Sequence, residues 1–167
     1  MLLAVDVDYK NDSRAVAAGV VFRSWSSGTI EAVVHQDISA VRPYQPGRFF
    51  ERELPCILAL LETYSRPVET IIIDGYVYLG SDRRDGLGAY LFDALDGKVP
   101  IVGVAKNKFQ DTPTETEVLR GCSLRPLYVT SAGISNDLVK DHVRLMHGDH
   151  RIPTMLAAVD RECRTAA

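Results

Sequence analysis

Four carboxylates in this 167-residue chain sit where a hydrophobic core would ordinarily refuse a charge: Asp6, Glu53, Asp74 and Asp160. Asp6 lies mid-strand between Val5 and Val7, where an ionised carboxylate is costly unless it is paired or bound to a metal. Asp74 closes the apolar run Ile71-Ile72-Ile73, and the carboxyl ends of strands in open α/β sheets are where ligands bind. Glu53 falls in line with Phe50, Ile57 and Leu60 on the inward stripe of a helix. Asp160 follows Leu156 and Ala157 by one turn and borders an apolar face. Carboxylates that converge in this way suit one or two hard divalent cations, which polarise a phosphoryl oxygen and activate water, as in metal-assisted phosphodiester hydrolysis. Each acid also has a structural reading. Asp74-Gly75 is turn chemistry, Glu53 can complement a helix dipole, and Asp160 can be a solvated surface acid. Asp6 is the hardest of the set to explain without a function.

The elements that must position these acids follow from periodicity. Leu2 to Tyr9 alternates as a strand, with Leu3, Val5, Val7 and Tyr9 on one face and Leu2, Ala4, Asp6 and Asp8 on the other. Asn11-Asp12-Ser13 and Ser26-Ser27-Gly28 are turns, so strands over Ala15 to Phe22 and Ile30 to Ile38 complete an antiparallel meander. The stiff stretch Pro43-Tyr44-Gln45-Pro46-Gly47 then leads into a helix with Leu54, Ile57, Leu58 and Leu61 at helical spacing, and Pro55 is expected in its first turn. Val68 to Asp74, Pro100 to Ala105 and Pro126 to Ser131 read as further strands. Helices are expected near Leu87 to Leu95, Asn136 to Met146 and Thr154 to Arg164, the last opened by Pro153. Three antiparallel strands followed by parallel strands with helices on both faces form an α/β, ribonuclease H-like layout. No repeat or Gly/Ser linker interrupts it, so a single domain over residues 1–167 is expected.

Composition narrows the class. Hydrophobic residues make up 46% and charged residues 25%, ordinary values for a globular protein with a real core. No apolar run is long enough to span a bilayer, and the start Met1-Leu2-Leu3-Ala4-Val5-Asp6 is unlike a signal peptide. A cytoplasmic protein with no membrane partner is therefore expected. Cys56, Cys122 and Cys163 lack the spacing of a disulfide framework or a structural zinc site. The net charge of −3 gives no basic footprint for nucleic acid. Bound divalent cations would supply positive charge locally.

The motifs, in order, resemble the endonuclease V family over roughly residues 3 to 162. Ala4-Val5-Asp6-Val7-Asp8-Tyr9 is similar to the strand that opens that family's catalytic domain. Its most distinctive element, Pro-Tyr-x-Pro-Gly running into an aromatic stretch that ends in Arg-Glu, is matched by Pro43-Tyr44-Gln45-Pro46-Gly47 through Phe49-Phe50-Glu51-Arg52-Glu53. Ile73-Asp74-Gly75 with Arg83-Arg84, Val102-Gly103-Val104-Ala105-Lys106, and Arg151-Ile152-Pro153 with Asp160 supply the rest. The resemblance implies a Mg²⁺-dependent (or Mn²⁺-dependent) endonuclease that acts in nucleic-acid repair, cutting DNA or RNA near a deaminated, inosine-type base. It implies Asp6, Glu53, Asp74 and Asp160 as metal ligands and Lys106 as the group on the scissile phosphate, with Arg83 a further phosphate contact. Pro43, Tyr44, Gln45 and Pro46 would form a wedge that fills the gap left by an extruded base. Gly47, Gly75 and Ser81 would border the pocket that receives it.

Specific departures accompany the match. Family members continue Asp-Gly-x-Gly-x-x-His-Pro-Arg, whereas this chain reads Asp74-Gly75-Tyr76-Val77-Tyr78-Leu79-Gly80-Ser81-Asp82-Arg83. One residue is inserted, Val77 replaces a glycine, and Ser81-Asp82 replaces His-Pro; Val77 and the two tyrosines are expected to narrow a base pocket or change what it accepts. A later Gly-His reads Gly133-Ile134, and, with its first strand starting almost at residue 1, the chain is expected to lack the N-terminal helical stretch usual in the family. By composition alone, Pro43 to Gly47 is a stiff connector, Lys106 an exposed lysine and Arg83-Arg84 a solvated loop. The alternative to a nuclease is a non-cleaving or re-specialised nucleic-acid-binding relative of the family, and the rewritten loop is its motive.

Overall fold

The computed structural model describes residues 1–166. A seven-stranded sheet runs through the molecule in the order β3-β2-β1-β4-β7-β9-β8. Its strands are β1 (Leu2–Tyr9), β2 (Ala15–Phe22), β3 (Ala32–Ile38), β4 (Thr70–Ile73), β7 (Ile101–Ala105), β8 (Glu117–Val118) and β9 (Leu127–Ala132). A separate two-stranded ribbon pairs β5 (Tyr78–Leu79) with β6 (Arg84–Asp85). The meander β1-β2-β3 is antiparallel, and β4 then pairs parallel with β1 and β7 parallel with β4.

Helices cover both faces, so the central strand β4 is buried along its whole length, as its Thr-Ile-Ile-Ile sequence requires. On one face α1 (Phe50–Thr63) and α2 (Leu87–Ala94) bury Ile57, Leu60 and Leu91 against Leu3, Val5, Ile71, Ile73 and Ile101. On the other, α3 (Asn136–Leu145) and α4 (Thr154–Thr165) bury Val139, Val143, Met155 and Val159 against Leu2, Ala4, Ile72, Val102 and Val104. The two-residue alternation of the strands therefore feeds two separate cores.

Two local expectations change. Pro55 lies in the second turn of α1, because the helix already begins at Phe50, with the Arg52 and Glu53 amides donating to the Phe49 carbonyl at 3.0 and 3.3 Å. β9 runs antiparallel to β7. A parallel return needs a long crossover, usually helical; the chain between β7 and β9 holds only one 3₁₀ turn (Thr114–Thr116) and short β8. The ribonuclease H-like layout is unaffected, since the meander and the parallel pairs β1-β4-β7 stand as expected.

Candidate active site

Strand parity brings the acids together. In β1, β4 and β7 the even-numbered residues Leu2, Ala4, Ile72, Val102 and Val104 face α3 and α4. Asp6, inside β1, and Asp74 and Lys106, just past the carboxyl ends of β4 and β7, continue those rows. The parallel register Val5↔Ile73 sets the two aspartates side by side one residue further on. Asp160 reaches the same point from α4. Carboxylate oxygens of Asp6, Asp74 and Asp160 lie within 4.8 Å of one another. Lys106 Nζ donates to Asp74 Oδ2 at 2.6 Å and stands 3.7 Å from Asp160 Oδ1. Glu53, on α1, is 6% exposed and belongs to the opposite layer; it shares the lining of a cavity with Asp74.

Negative charge is in excess here. Burial, then the neighbouring Asp74, pushes the Asp6 carboxyl up to about 6, against the partial relief of the Val7 amide, which donates to Asp6 Oδ1 at 2.8 Å, and of Lys106. Burial pushes Glu53 well above the usual carboxylate range, and Asp6 and Asp74 add to it. For Lys106 burial acts downward, but the hydrogen bond and charge of Asp74, with Asp160 and Asp6, outweigh it and hold the ammonium protonated more tightly than usual. A set of closely spaced hard oxygen donors with one lysine between them fits a hard divalent cation. Asp6, Asp74 and Asp160 are the residues that would hold it.

The connector Pro43-Tyr44-Gln45-Pro46 is exposed throughout, with Tyr44 at 59%. It turns at Gly47, whose φ of +77° favours glycine. Gly47 and Gly75 line a cavity of about 650 Å³ together with Glu53 and Asp74. Aromatic rings furnish its walls: Phe50 and Tyr90, stacked at 4.0 Å, with Tyr76 and Phe109. Ser81 and Arg83 stand elsewhere. They line a second cavity of about 340 Å³ with Thr112, Thr130 and Asn136, and that lining includes none of Asp6, Glu53, Asp74, Asp160 or Lys106. The β5–β6 ribbon separates the two spaces, with Leu79, Arg84 and Asp85 facing the first and Tyr78, Ser81 and Arg83 the second. Val77 does not narrow the first cavity. It is fully buried, its amide donates to Thr130 Oγ1 at 2.8 Å, and its side chain lies where a Cβ on Gly88 of α2 would fall.

The endonuclease V family profile matches residues 1–136. The chain belongs to the endonuclease V family. It is 31% identical to an endonuclease V of Streptomyces coelicolor over 97% of this chain and 77% of that protein. It is also 31% identical to one from Alkalilimnicola ehrlichii over 91% of this chain and 66% of that protein. Among solved structures, the endonuclease V of Streptomyces avermitilis superposes with a TM-score of 0.77 at 28% identity, covering 98% of this chain and 79% of that one. An endonuclease V of Ciona intestinalis, solved with a DNA containing an inosine followed by a ribo-adenosine, shares the fold with a TM-score of 0.79 at 19% identity, covering 98% of this chain and 83% of that one. No helix among the described residues of this endonuclease V family member is long and apolar enough to cross a membrane.

Three arginines stand around the centre, two of them, Arg52 and Arg151, within the motifs quoted above. Arg164 Nη2 lies 3.1 Å from Asp160 Oδ1, a pair that the i,i+4 spacing on one helix could have announced. Arg52, 9% exposed, packs its guanidinium 4.3 Å over the Tyr9 ring beside Glu53. Arg151 donates to the Lys106 carbonyl; no sequence signal marks that long-range contact.

Proposed function

We propose that this chain is a divalent-metal-dependent endonuclease that hydrolyses a phosphodiester near a deaminated, inosine-type base in DNA or RNA. The observation that carries the reading is the approach of the Asp6, Asp74 and Asp160 carboxylates to within 4.8 Å, from the middle of β1, the carboxyl end of β4 and α4. When bound there, a Mg²⁺ or Mn²⁺ ion supplies Lewis-acid polarisation and neutralises charge that develops on the phosphodiester. Among the described residues Lys106 is the cationic side chain that reaches both Asp74 and Asp160, whereas Arg164 pairs with Asp160. With a cation held by the carboxylates, the Lys106 ammonium would be available to stabilise the phosphate that is cut. Glu53, held toward its neutral form by burial and then by Asp6 and Asp74, would add a further carboxylate ligand to such a cation from the opposite layer. The exposed Pro43-Tyr44-Gln45-Pro46 segment serves as the wedge. The aromatic cavity beyond Gly47 and Gly75 is within the size range of small-ligand sites and receives the extruded base. Ser81 and Arg83, in the other cavity, contribute to neither the base pocket nor the phosphate site in this arrangement.

The test is a cleavage panel of strands containing inosine, uracil or an abasic site, in DNA and RNA, with Mg²⁺ or Mn²⁺, beside an Asp74→Asn variant of unchanged circular dichroism. Metal-dependent cuts near inosine that vanish in the variant are expected. Tight binding without any metal-dependent cut would instead select the non-cleaving alternative.

A further inference from the structure

We propose that Arg151 is a positioning residue for Lys106, tying the end of β7 to the segment that launches α4 and thereby setting the cation against the Asp74 and Asp160 carboxylates. Sheet pairing between β7 and β9 ends at Ala105↔Tyr128, so the Lys106 carbonyl lies one residue past the ladder. Arg151 Nη2 takes that carbonyl, and also the Pro126 carbonyl at 2.9 Å, while its Nε donates to the Arg125 carbonyl at 3.0 Å. A planar guanidinium can satisfy three carbonyls at once with fixed angles, which an ammonium cannot.

The anchor behind Arg151 is itself stiff. Arg120, 6% exposed, donates to the carbonyls of His150 at 2.7 Å, Gly148 at 3.0 Å and Met146. The Thr154 amide donates to the His147 carbonyl at 2.9 Å, and His147 Nδ1 meets Thr154 Oγ1 at 2.9 Å. The 146–151 segment is thus held from inside by Arg120 and reaches outward to the site through Arg151 alone of the two. Loss of Arg151 frees the main chain from which the Lys106 side chain springs, at the position where Nζ must meet Asp74 at 2.6 Å.

The effect on turnover rests on the nuclease reading; the effect on geometry does not. Full-length wild type, Arg151→Gln, Lys106→Met, the double variant and Arg120→Lys are assayed on an inosine-containing oligonucleotide with Mn²⁺, and crystal structures of wild type and Arg151→Gln are compared. Arg151→Gln is expected to lower kcat about 100-fold, the order that a ~1 Å misplacement costs, with KM changed less than about threefold. In the Lys106→Met background the same change should add nothing. Arg120→Lys, which loosens the anchor behind Arg151, should lower the melting temperature and lower kcat less than Arg151→Gln does. An equal loss of kcat in both backgrounds overturns the proposal. So does a structure of Arg151→Gln in which Lys106 still meets Asp74, where a separation beyond about 3.5 Å is expected. If Arg151→Gln does not fold, Arg151→Lys gives the same two readouts. A wild type that cuts nothing sinks the nuclease reading while the structural comparison still decides the role of Arg151.

Discussion

Replacing Asp6 with asparagine probes the electrostatics of the site without any substrate. The carboxyl stands at about 6 instead of 3.8 because burial, then the charge of Asp74, penalises its ionised form. A carboxylic acid raised in this way contributes stability that is complete below its unfolded pKa and is lost as pH climbs from about 4 through about 6. A shift of roughly two units, at about 1.4 kcal/mol each, is ~3 kcal/mol of destabilisation carried by the ionised group at pH 7.5. Solvent screening at the open side of the site brings this to about 1–3 kcal/mol. Asparagine keeps the size of the side chain and can still accept the Val7 amide, yet it carries no charge. In EDTA at pH 7.5 the Asp6→Asn protein should therefore melt higher than wild type, at about 2–4 °C per kcal/mol for a domain of this size. The gain should shrink as pH falls toward 4, where wild-type Asp6 is already protonated in the fold. Addition of excess Mn²⁺ should then stabilise wild type far more than the variant, since a cation stabilises only the fold that binds it. Melting curves across pH 4.5–8, with EDTA and with Mn²⁺, supply the assay, each pH being about 1 unit or less from the next. An Asp6→Asn protein no more stable than wild type at pH 7.5 in EDTA, or a gap that ignores pH, refutes the reasoning.

Other perturbations separate the parts of the site. Lys106→Met removes the only cation that touches both Asp74 and Asp160 among the described residues, and kcat for metal-dependent cleavage should fall about 100-fold or more in single-turnover kinetics. Gly103→Ala would set a Cβ 2.5 Å from the Gly75 carbonyl oxygen and 2.9 Å from the Val77 amide nitrogen, backbone atoms that cannot step aside. Calorimetry should register a loss of about 1–3 kcal/mol. Tyr44→Ala, at an exposed position, should change stability by less than about 0.5 kcal/mol while reducing discrimination between inosine-containing and undamaged strands in a competition assay. Ser81→Ala should leave that discrimination unchanged, because Ser81 borders the second cavity and not the one beside Glu53.

Much of the architecture was legible because its signals are local. The alternation in Leu2 to Tyr9, the Ile-Ile-Ile run before Asp74 and the helical spacing of Leu54, Ile57, Leu58 and Leu61 each state how a segment buries one face. Elements whose stability is not local were harder to see. The ribbon of Tyr78–Leu79 with Arg84–Asp85 and the short β8 have two residues per strand, too few for any period to show. The direction of β9 depends on how the chain crosses from β7, and Val77 is buried because Gly88 on α2 leaves room for it.

Residue types alone determined that this chain carries acids no core would keep uncompensated, on strands and helices that can be named in advance, and the order of its motifs carried the family. Tertiary structure decided which of those acids meet. Asp6, Asp74 and Asp160 come within 4.8 Å through strand register and helix docking, while Glu53 approaches from the other layer and Ser81 and Arg83 turn to a different cavity. The reason is physical: a side chain's chemistry and its face on a strand or helix are properties of nearby sequence, whereas the distance between two side chains far apart in the chain depends on how whole elements pack.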